Sequence, residues 1–333
     1  MPLISILMPF RNTAGFLEEC LRSISEQSCA DWELLAVDDR SEDRSRDLIR
    51  QAARRDKRIC LLDNRGAGII PALRTAYAAS NGSYITRMDS DDVMAGERLA
   101  VMSEQLLRHG PGHLALGQVR YFSDRGISDG YARYESWLNG LTARGSNFTE
   151  IYKECVVPSP CWMTGRSDLD ACGAFDSDRY PEDYDLCFRF YRQGLTTLPS
   201  EQVLHFWRDY DARTSRNSEH YAQNYFLEIK THYFLQLDRD AGRPLVIWGA
   251  GFKGKKIARL LRQQGIDFYW VCDNPKKIGK QIYGKRLLHF FHTAALQRAQ
   301  SVVTVANPEA QAQIRAYLRQ QGAAPGSDYF FFC

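Results

Sequence analysis

The sequence predicts an α/β fold: a parallel sheet covered on both faces by helices, followed by a second, smaller α/β unit. Three observations carry that expectation. Short continuous apolar runs alternate with amphipathic segments through the first 90 residues, which is the pattern of strands buried on both faces. Carboxylates follow the second and fourth of these runs directly. A glycine-rich strand-to-helix turn restarts the pattern after residue 244, as in nucleotide-binding βαβ units.

Taken in order, residues 3–8 form the first strand, ending at Pro9, and Phe16, Leu17, Cys20, Leu21 and Ile24 then fall on one helical face. Residues 32–37 form the second strand, stopped by Asp38 and Asp39, with Ser41 placed to cap a helix carrying Leu48 and Ile49. A third strand at 59–62, a helix at 70–79 and a fourth strand at 84–88 complete βαβαβαβ. Ligands of such sheets gather outside the carboxyl ends of the strands, where Pro9, Asp39 and Asp91 all lie. From 110 to 160 the pattern weakens, leaving one mixed strand at 114–122. Helical spacing returns at 181–191 and at 219–237. The polar, turn-rich stretch 238–244 marks a boundary, giving domains 1–240 and 244–333.

In the second domain a strand at 245–248 leads into GAGFKG, with Gly249, Gly251 and Gly254, then a helix carrying Ile257, Leu260 and Leu261. The next strand, 268–272, ends in Asp273. That set satisfies the dinucleotide fingerprint, whose glycines admit phosphate to a helix N-terminus, and Lys276, Lys277 and Lys280 suit phosphate. A nucleotide site and a pure packing module both remain open. A strand at 301–306, a helix after Pro308 and a strand at 329–332 finish the unit.

Composition narrows the partners. With 333 residues, 44% of them hydrophobic, the chain has material for two domains. A net charge of +3 gives no footing for nucleic acid, although a peripheral contact with an anionic membrane surface stays open. Nine cysteines without a CxxC pair fit neither a zinc knuckle nor a secreted disulfide framework, so a cytoplasmic location is expected. The apolar start MPLISILMPF breaks at Pro9 and Arg11 and reads as a strand, not a signal peptide. Oligomeric state leaves no trace in the sequence.

The most informative stretch is SYITRMDSDDV, residues 83–93, where Asp89, Asp91 and Asp92 crowd the end of an apolar strand. Clustered, poorly hydrated carboxylates favour a dication with hard oxygen ligands, Mg²⁺ or Mn²⁺, its shell completed by substrate phosphates. A solvated acidic turn is the plainer alternative.

Four stretches in fixed order, ISILMPFRN, ELLAVDDRSED, YITRMDSDDVMAGERL and YPEDYDLCFRFYRQG, resemble the inverting glycosyltransferases of family 2, which have the GT-A fold. The likeness runs from residue 3 to about 216. It implies a sugar moved from a nucleotide diphosphate donor, commonly UDP-linked, to a glycan or lipid-linked acceptor in bacterial surface polysaccharide synthesis. By the same resemblance Pro9 and Asp39 hold the nucleobase, Asp89 meets the ribose or the metal's water shell, and Asp91 ligates Mn²⁺ or Mg²⁺ across the two phosphates. Arg65 and Arg87 are placed for phosphate or for a neighbouring acid. Asp183 matches the base that takes the acceptor's proton in a single inverting displacement, with Glu182 shaping the acceptor side. Trp162 suits a sugar face or the core equally.

The chain departs from that pattern at Tyr210, two residues after Arg208, where many relatives have a His, and at Arg74, usually Asn. His205 reads as structural. The second domain resembles small Rossmann-like, nucleotide-sugar-binding domains of bacterial sugar-modifying enzymes. Two rivals remain: an NAD-dependent sugar oxidoreductase centred on GAGFKG, and a non-catalytic nucleotide-sugar-binding protein.

Overall fold

Apolar runs that must bury both faces assemble here into two sheets and a separate third. In the computed structural model, residues 3–211, 213 and 226–333 are described. The chain divides into two compact units, Met1–Phe148 with Val156–Arg213, and Thr149–Cys155 with Thr214–Cys333.

The first unit runs β1 (Ile4–Phe10), α1 (Ala14–Ser25), β2 (Trp32–Asp38), α2 (Ser45–Arg55), β3 (Ile59–Asp63), α3 (Ile69–Ala79) and β4 (Tyr84–Arg87). It continues with β5 (Val93–Met94), α4 (Arg98–His109), β6 (His113–Leu116), β7 (Gln118–Phe122), α5 (Asp129–Arg144), β8 (Trp162–Gly165), α6 (Arg166–Ala171), α7 (Glu182–Arg192), β9 (Thr196–Leu198) and β10 (Val203–Arg208). Its main sheet has the order β3-β2-β1-β4-β8-β6-β9. The first four strands are parallel, as the apolar runs predict, and β8 inserts antiparallel between β4 and β6. Ile4, Ile6, Leu34 and Ala36 from adjacent strands pack with Leu17, Cys20 and Ile24 of α1 in one core.

Two local expectations are corrected. The mixed strand at 114–122 is two strands, β6 in the main sheet and β7 beside β10 in a second sheet ordered β5-β10-β7. Gly117 makes the switch. A Cβ there would lie 2.5 Å from Leu204 Cβ and 2.9 Å from Cys161 Sγ, so only glycine allows the close crossing. Ser41 does not cap α2. Its hydroxyl accepts from Asn12 N–H, and Asp43 Oδ1 accepts from Ser45 N–H at the helix start.

The second unit contains α8 (Leu227–Leu237), β11 (Leu245–Trp248), α9 (Phe252–Gln263), β12 (Tyr269–Cys272), β13 (Gln281–Ile282), β14 (Lys285–His289), β15 (Gln300–Val303), α10 (Pro308–Gln320) and β16 (Tyr329–Phe331). The part of the expected 219–237 helix before residue 226 lies outside the described residues. The sheet order is β13-β14-β12-β11-β15-β16, parallel except for β13. Among the described residues no helix is long and apolar enough to cross a membrane.

Candidate functional site

Because β2, β1 and β4 are parallel neighbours, whatever follows them shares one edge of the sheet. Asp39 and the acidic turn are two strand spacings apart there, about 10 Å. The Asp39 N–H donates to Phe10 O at 2.9 Å. Its carboxylate is 8% exposed and accepts from Asn64 Nδ2 at 2.6 Å and from Gly68 N–H at 3.0 Å. Asp39 therefore braces the loop entering α3 rather than capping α2. Gly68, at φ +86°, takes a left-handed turn that other residues resist. Pro9 sits inside β1, past Leu7, where the β1–β4 pairing stops, so its missing N–H costs that ladder nothing. Arg65 is exposed, with its N–H 3.4 Å from Thr75 Oγ1.

The acidic turn follows β4. Arg87, 6% exposed, reaches Asp89 Oδ1 at 3.0 Å with one arm and Glu182 Oε1 at 2.9 Å with the other. This cation joins the end of β4 to the start of α7, 95 residues away in sequence. Asp91 Oδ2 accepts from the Tyr210 hydroxyl at 2.9 Å. Burial, then the charges of Asp92 and Asp89, push the Asp91 carboxyl from 3.8 up to about 7.

Asp92 is tied to β10. Its oxygens accept from His205 Nε2 at 2.9 Å and from Arg208 N–H at 2.8 Å. Arg98 NH1 lies 3.0 Å from His205 Nδ1, and a guanidinium can only donate, so His205 carries its proton on Nε2 and is neutral. Burial, followed by the Arg98 charge, holds the imidazole well below its usual range. The histidine is structural, as expected.

Asp183 is the second residue of α7, after Pro181 and Glu182, and Asp183 Oδ1 accepts from Tyr184 N–H at 2.7 Å. Burial, then Glu182, push its carboxyl up to about 7 against the opposing pull of Arg87. Glu182, Asp183 and Arg87 line a narrow cavity of about 10 Å³, closed by Leu73, Trp162 and Phe190, with room for little more than one water. Trp162 is 2% exposed, its ring edge-on to Phe190 at 5.5 Å, so in this arrangement it is core that also walls the cavity. Arg74 is engaged elsewhere, donating to Phe175 O, Asp176 O and Asp178.

A divalent cation fits the turn chemically. Asp91 and Asp92 are both held above the ordinary carboxylate range by burial and by each other's neighbours, which is the strain a dication relieves. Among the described residues no group of three or more His, Cys, Asp or Glu could hold a metal by itself. An ion at Asp91 would therefore draw most of its oxygens from elsewhere, as Mg²⁺ and Mn²⁺ do from phosphates. The residues that sequence reasoning missed are Asn64, Gly68 and Arg98. Arg98 reads as a solvated helix position yet is 0% exposed.

With this arrangement in hand, comparison with known proteins is decisive for the family. The model described as Glycosyl transferase family 2 matches residues 5–173, more than half of the chain. The chain belongs to glycosyl transferase family 2. As a member, it is 31% identical over 125 residues to "Uncharacterized glycosyltransferase EpsJ" of Bacillus subtilis, covering 38% of this chain and 36% of that protein. It is 34% identical over 108 residues to the UDP-Glc:alpha-D-GlcNAc-diphosphoundecaprenol beta-1,3-glucosyltransferase WfgD of Escherichia coli, covering 32% of this chain and 42% of that one. The matches thus span well under half the length of the first curated relatives. The GT-A fold is shared with the mannosyltransferase PcManGT of Pyrobaculum calidifontis, solved with GDP-Man and Mn²⁺. That likeness has a TM-score of 0.54 and 15% identity, covering 98% of this family 2 chain and 82% of that one.

In the second unit the four fingerprint residues occupy their expected places. Gly249 follows β11 at φ +96°, Gly251 precedes α9, and Asp273 follows β12, which pairs with β11. A Cβ on Gly254 would meet Gly249 O at 2.1 Å, so this glycine lets α9 sit tightly on the strand end. Lys277 Nζ donates to Ala250 O at 2.9 Å. Helix packing by itself accounts for Gly254.

Proposed function

We propose that this protein transfers a sugar from a nucleoside diphosphate sugar to a hydroxyl of a glycan or lipid-linked glycan, inverting the anomeric centre, in bacterial surface polysaccharide synthesis. The catalytic part lies within residues 1–240, and 244–333 is a small Rossmann-like domain with a candidate nucleotide loop at Gly249, Gly251, Gly254 and Asp273. In the catalytic part Pro9 and Asp39 take the nucleobase, Arg65 and Asp89 the ribose-phosphate side, and Asp91 the divalent cation. A cation there offsets the charge gathering on the leaving diphosphate. UDP is the preferred nucleotide, by similarity to the UDP-Glc enzyme WfgD, and Mn²⁺ or Mg²⁺ the preferred ion.

One observation carries the reading. Arg87 binds Asp89 and Glu182 together, so one guanidinium joins the acidic turn to the Glu182–Asp183 pair. With Glu182 engaged by that guanidinium, Asp183 is left facing the cavity with its carboxyl near 7. A base of that strength is deprotonated above neutral pH and still able to accept the acceptor hydroxyl's proton as the anomeric carbon is attacked. Nucleotide-sugar turnover is the test. Screening UDP- and GDP-sugars for Mn²⁺-dependent thermal stabilisation selects the donor. Asp183→Asn should then keep that stabilisation and lose transfer. Unchanged transfer in Asp183→Asn would return the chain to a binding role or to another base.

A further inference from the structure

We propose that Tyr210 is a positioning residue for Asp91: its hydroxyl holds Oδ2 of that carboxylate so that Oδ1 is the oxygen presented to a divalent cation. The tyrosine's role depends on the metal role proposed above for Asp91.

The strand end after β10 is fastened to the acidic turn at three points. Arg208 N–H donates to Asp92 Oδ1 at 2.8 Å, Arg208 Nε donates to Asp91 O at 2.7 Å, and the Tyr210 hydroxyl donates to Asp91 Oδ2 at 2.9 Å. Arg208 is itself held by Glu19 and lies over the rings of Phe16 and Phe122, 5.0 and 4.4 Å from their centroids. The Tyr210 ring packs on Phe16 with centroids 4.6 Å apart. The ring of Tyr210 thus rests on Phe16 two residues past the anchored Arg208, and its hydroxyl is aimed at Asp91.

A carboxylate on a single Cβ otherwise rotates freely between its two oxygens. A donor held on one oxygen removes that freedom and leaves the other for the ion. Hydrogen bonds of this kind to ligating carboxylates commonly change metal affinity by about 10–100-fold. A neutral phenol is a hydrogen-bond donor here and a poor metal ligand, unlike an imidazole.

The experiment is a Mn²⁺ titration of the full chain in the presence of saturating UDP, with GDP in parallel, following the electron paramagnetic resonance signal of free Mn²⁺. Tyr210→Phe keeps the ring on Phe16 and loses only the hydroxyl. It should weaken Mn²⁺ binding about 10-fold or more, with nucleotide affinity in EDTA and the melting temperature unchanged. Mn²⁺ affinity within two-fold of wild type would overturn the assignment. Tighter Mn²⁺ binding would overturn it as well, because the phenol would then be competing for the cation's place. Failure of the wild-type chain to bind Mn²⁺ with either nucleotide would remove the metal role of Asp91 itself, a result distinct from a silent Tyr210→Phe.

Discussion

Asp91→Asn should make the metal-free protein more stable at pH 8 while abolishing its response to metal. The magnitude follows from the site. Burial and the adjacent carboxylates raise the Asp91 carboxyl from 3.8 to about 7, so the folded state binds its proton more tightly than the unfolded chain does. Between those values stability falls as pH rises, and above about 7 the full penalty applies. At 1.36 kcal/mol per pH unit that penalty is about 4 kcal/mol at pH 8 and about 1 kcal/mol at pH 4.5. Half of it is a sounder expectation, because Asp89 and Asp92 readjust once a neighbour is neutral. An amide oxygen can still accept from Tyr210, so little else is lost. About 2 kcal/mol raises the melting temperature of a unit this size by about 4–8 °C. Thermal melts in EDTA at pH 8 and pH 4.5 measure it, and the gain should shrink at the lower pH. Adding the Mn²⁺–UDP complex at 100 times its dissociation constant, counted as one ligand, should then stabilise wild type by about 2.7 kcal/mol, and Mn²⁺ should add nothing to what UDP alone does for the variant. A variant that melts at or below wild type at both pH values would refute the idea that the turn is electrostatically strained without a cation.

Asp183→Asn should lower the transfer rate by about 10²–10⁴-fold with donor affinity within two-fold, read by chromatographic separation of products. The wild-type rate should rise with pH and level off above about 7, since Asp183 must lose its proton to act and its carboxyl is pushed up to about 7; a rate that falls across that range would exclude Asp183 as the base. Arg87→Met leaves Asp89 and Glu182 without the cation that joins them and should cost about 3–5 kcal/mol, visible in urea unfolding. Gly254→Ala drives a methyl group against Gly249 O and should destabilise the second unit by about 1–3 kcal/mol, with the first unit's nucleotide binding unaffected.

The sheet edge was legible because chemistry at strand ends is local. Asp38 and Asp39, and the DSDD turn, interrupt apolar runs that cannot tolerate charge, so both the strands and their ligand-bearing ends are visible in sequence. The helix Asp129–Arg144 was not seen. It buries little beyond Leu138, Leu141 and Thr142, too thin a stripe to stand out, although Ser128 at its N-cap and left-handed Gly145 at its end are both present. The hairpin of β13 and β14 hides in the same way. Its turn is Tyr283-Gly284, both at positive φ, and a tyrosine is an uncommon carrier of that turn. Long-range ties are harder still. His205 and Asp92 are 113 residues apart and Arg87 and Glu182 are 95 apart, and no spacing rule joins them.

Those ties give adjacent acids different partners. Asp92 turns both oxygens inward, to a histidine whose tautomer is set by Arg98 and to the backbone of Arg208. Glu182 is engaged by Arg87 in the same sense. Each acid fastens a strand or helix end to its neighbour in the fold, and each stands next to an acid, Asp91 or Asp183, that among the described residues makes no such tie to a charged side chain and whose carboxyl burial pushes up. Under the proposed function the two pairs take opposite things from a ligand: Asp91 a cation, Asp183 a proton. A nucleoside diphosphate sugar approached by an acceptor hydroxyl supplies both, the first through the metal its phosphates bring and the second through the hydroxyl itself. An NAD-dependent oxidation centred on the second unit would leave both carboxyls, and the arginine that joins their segments, without a task.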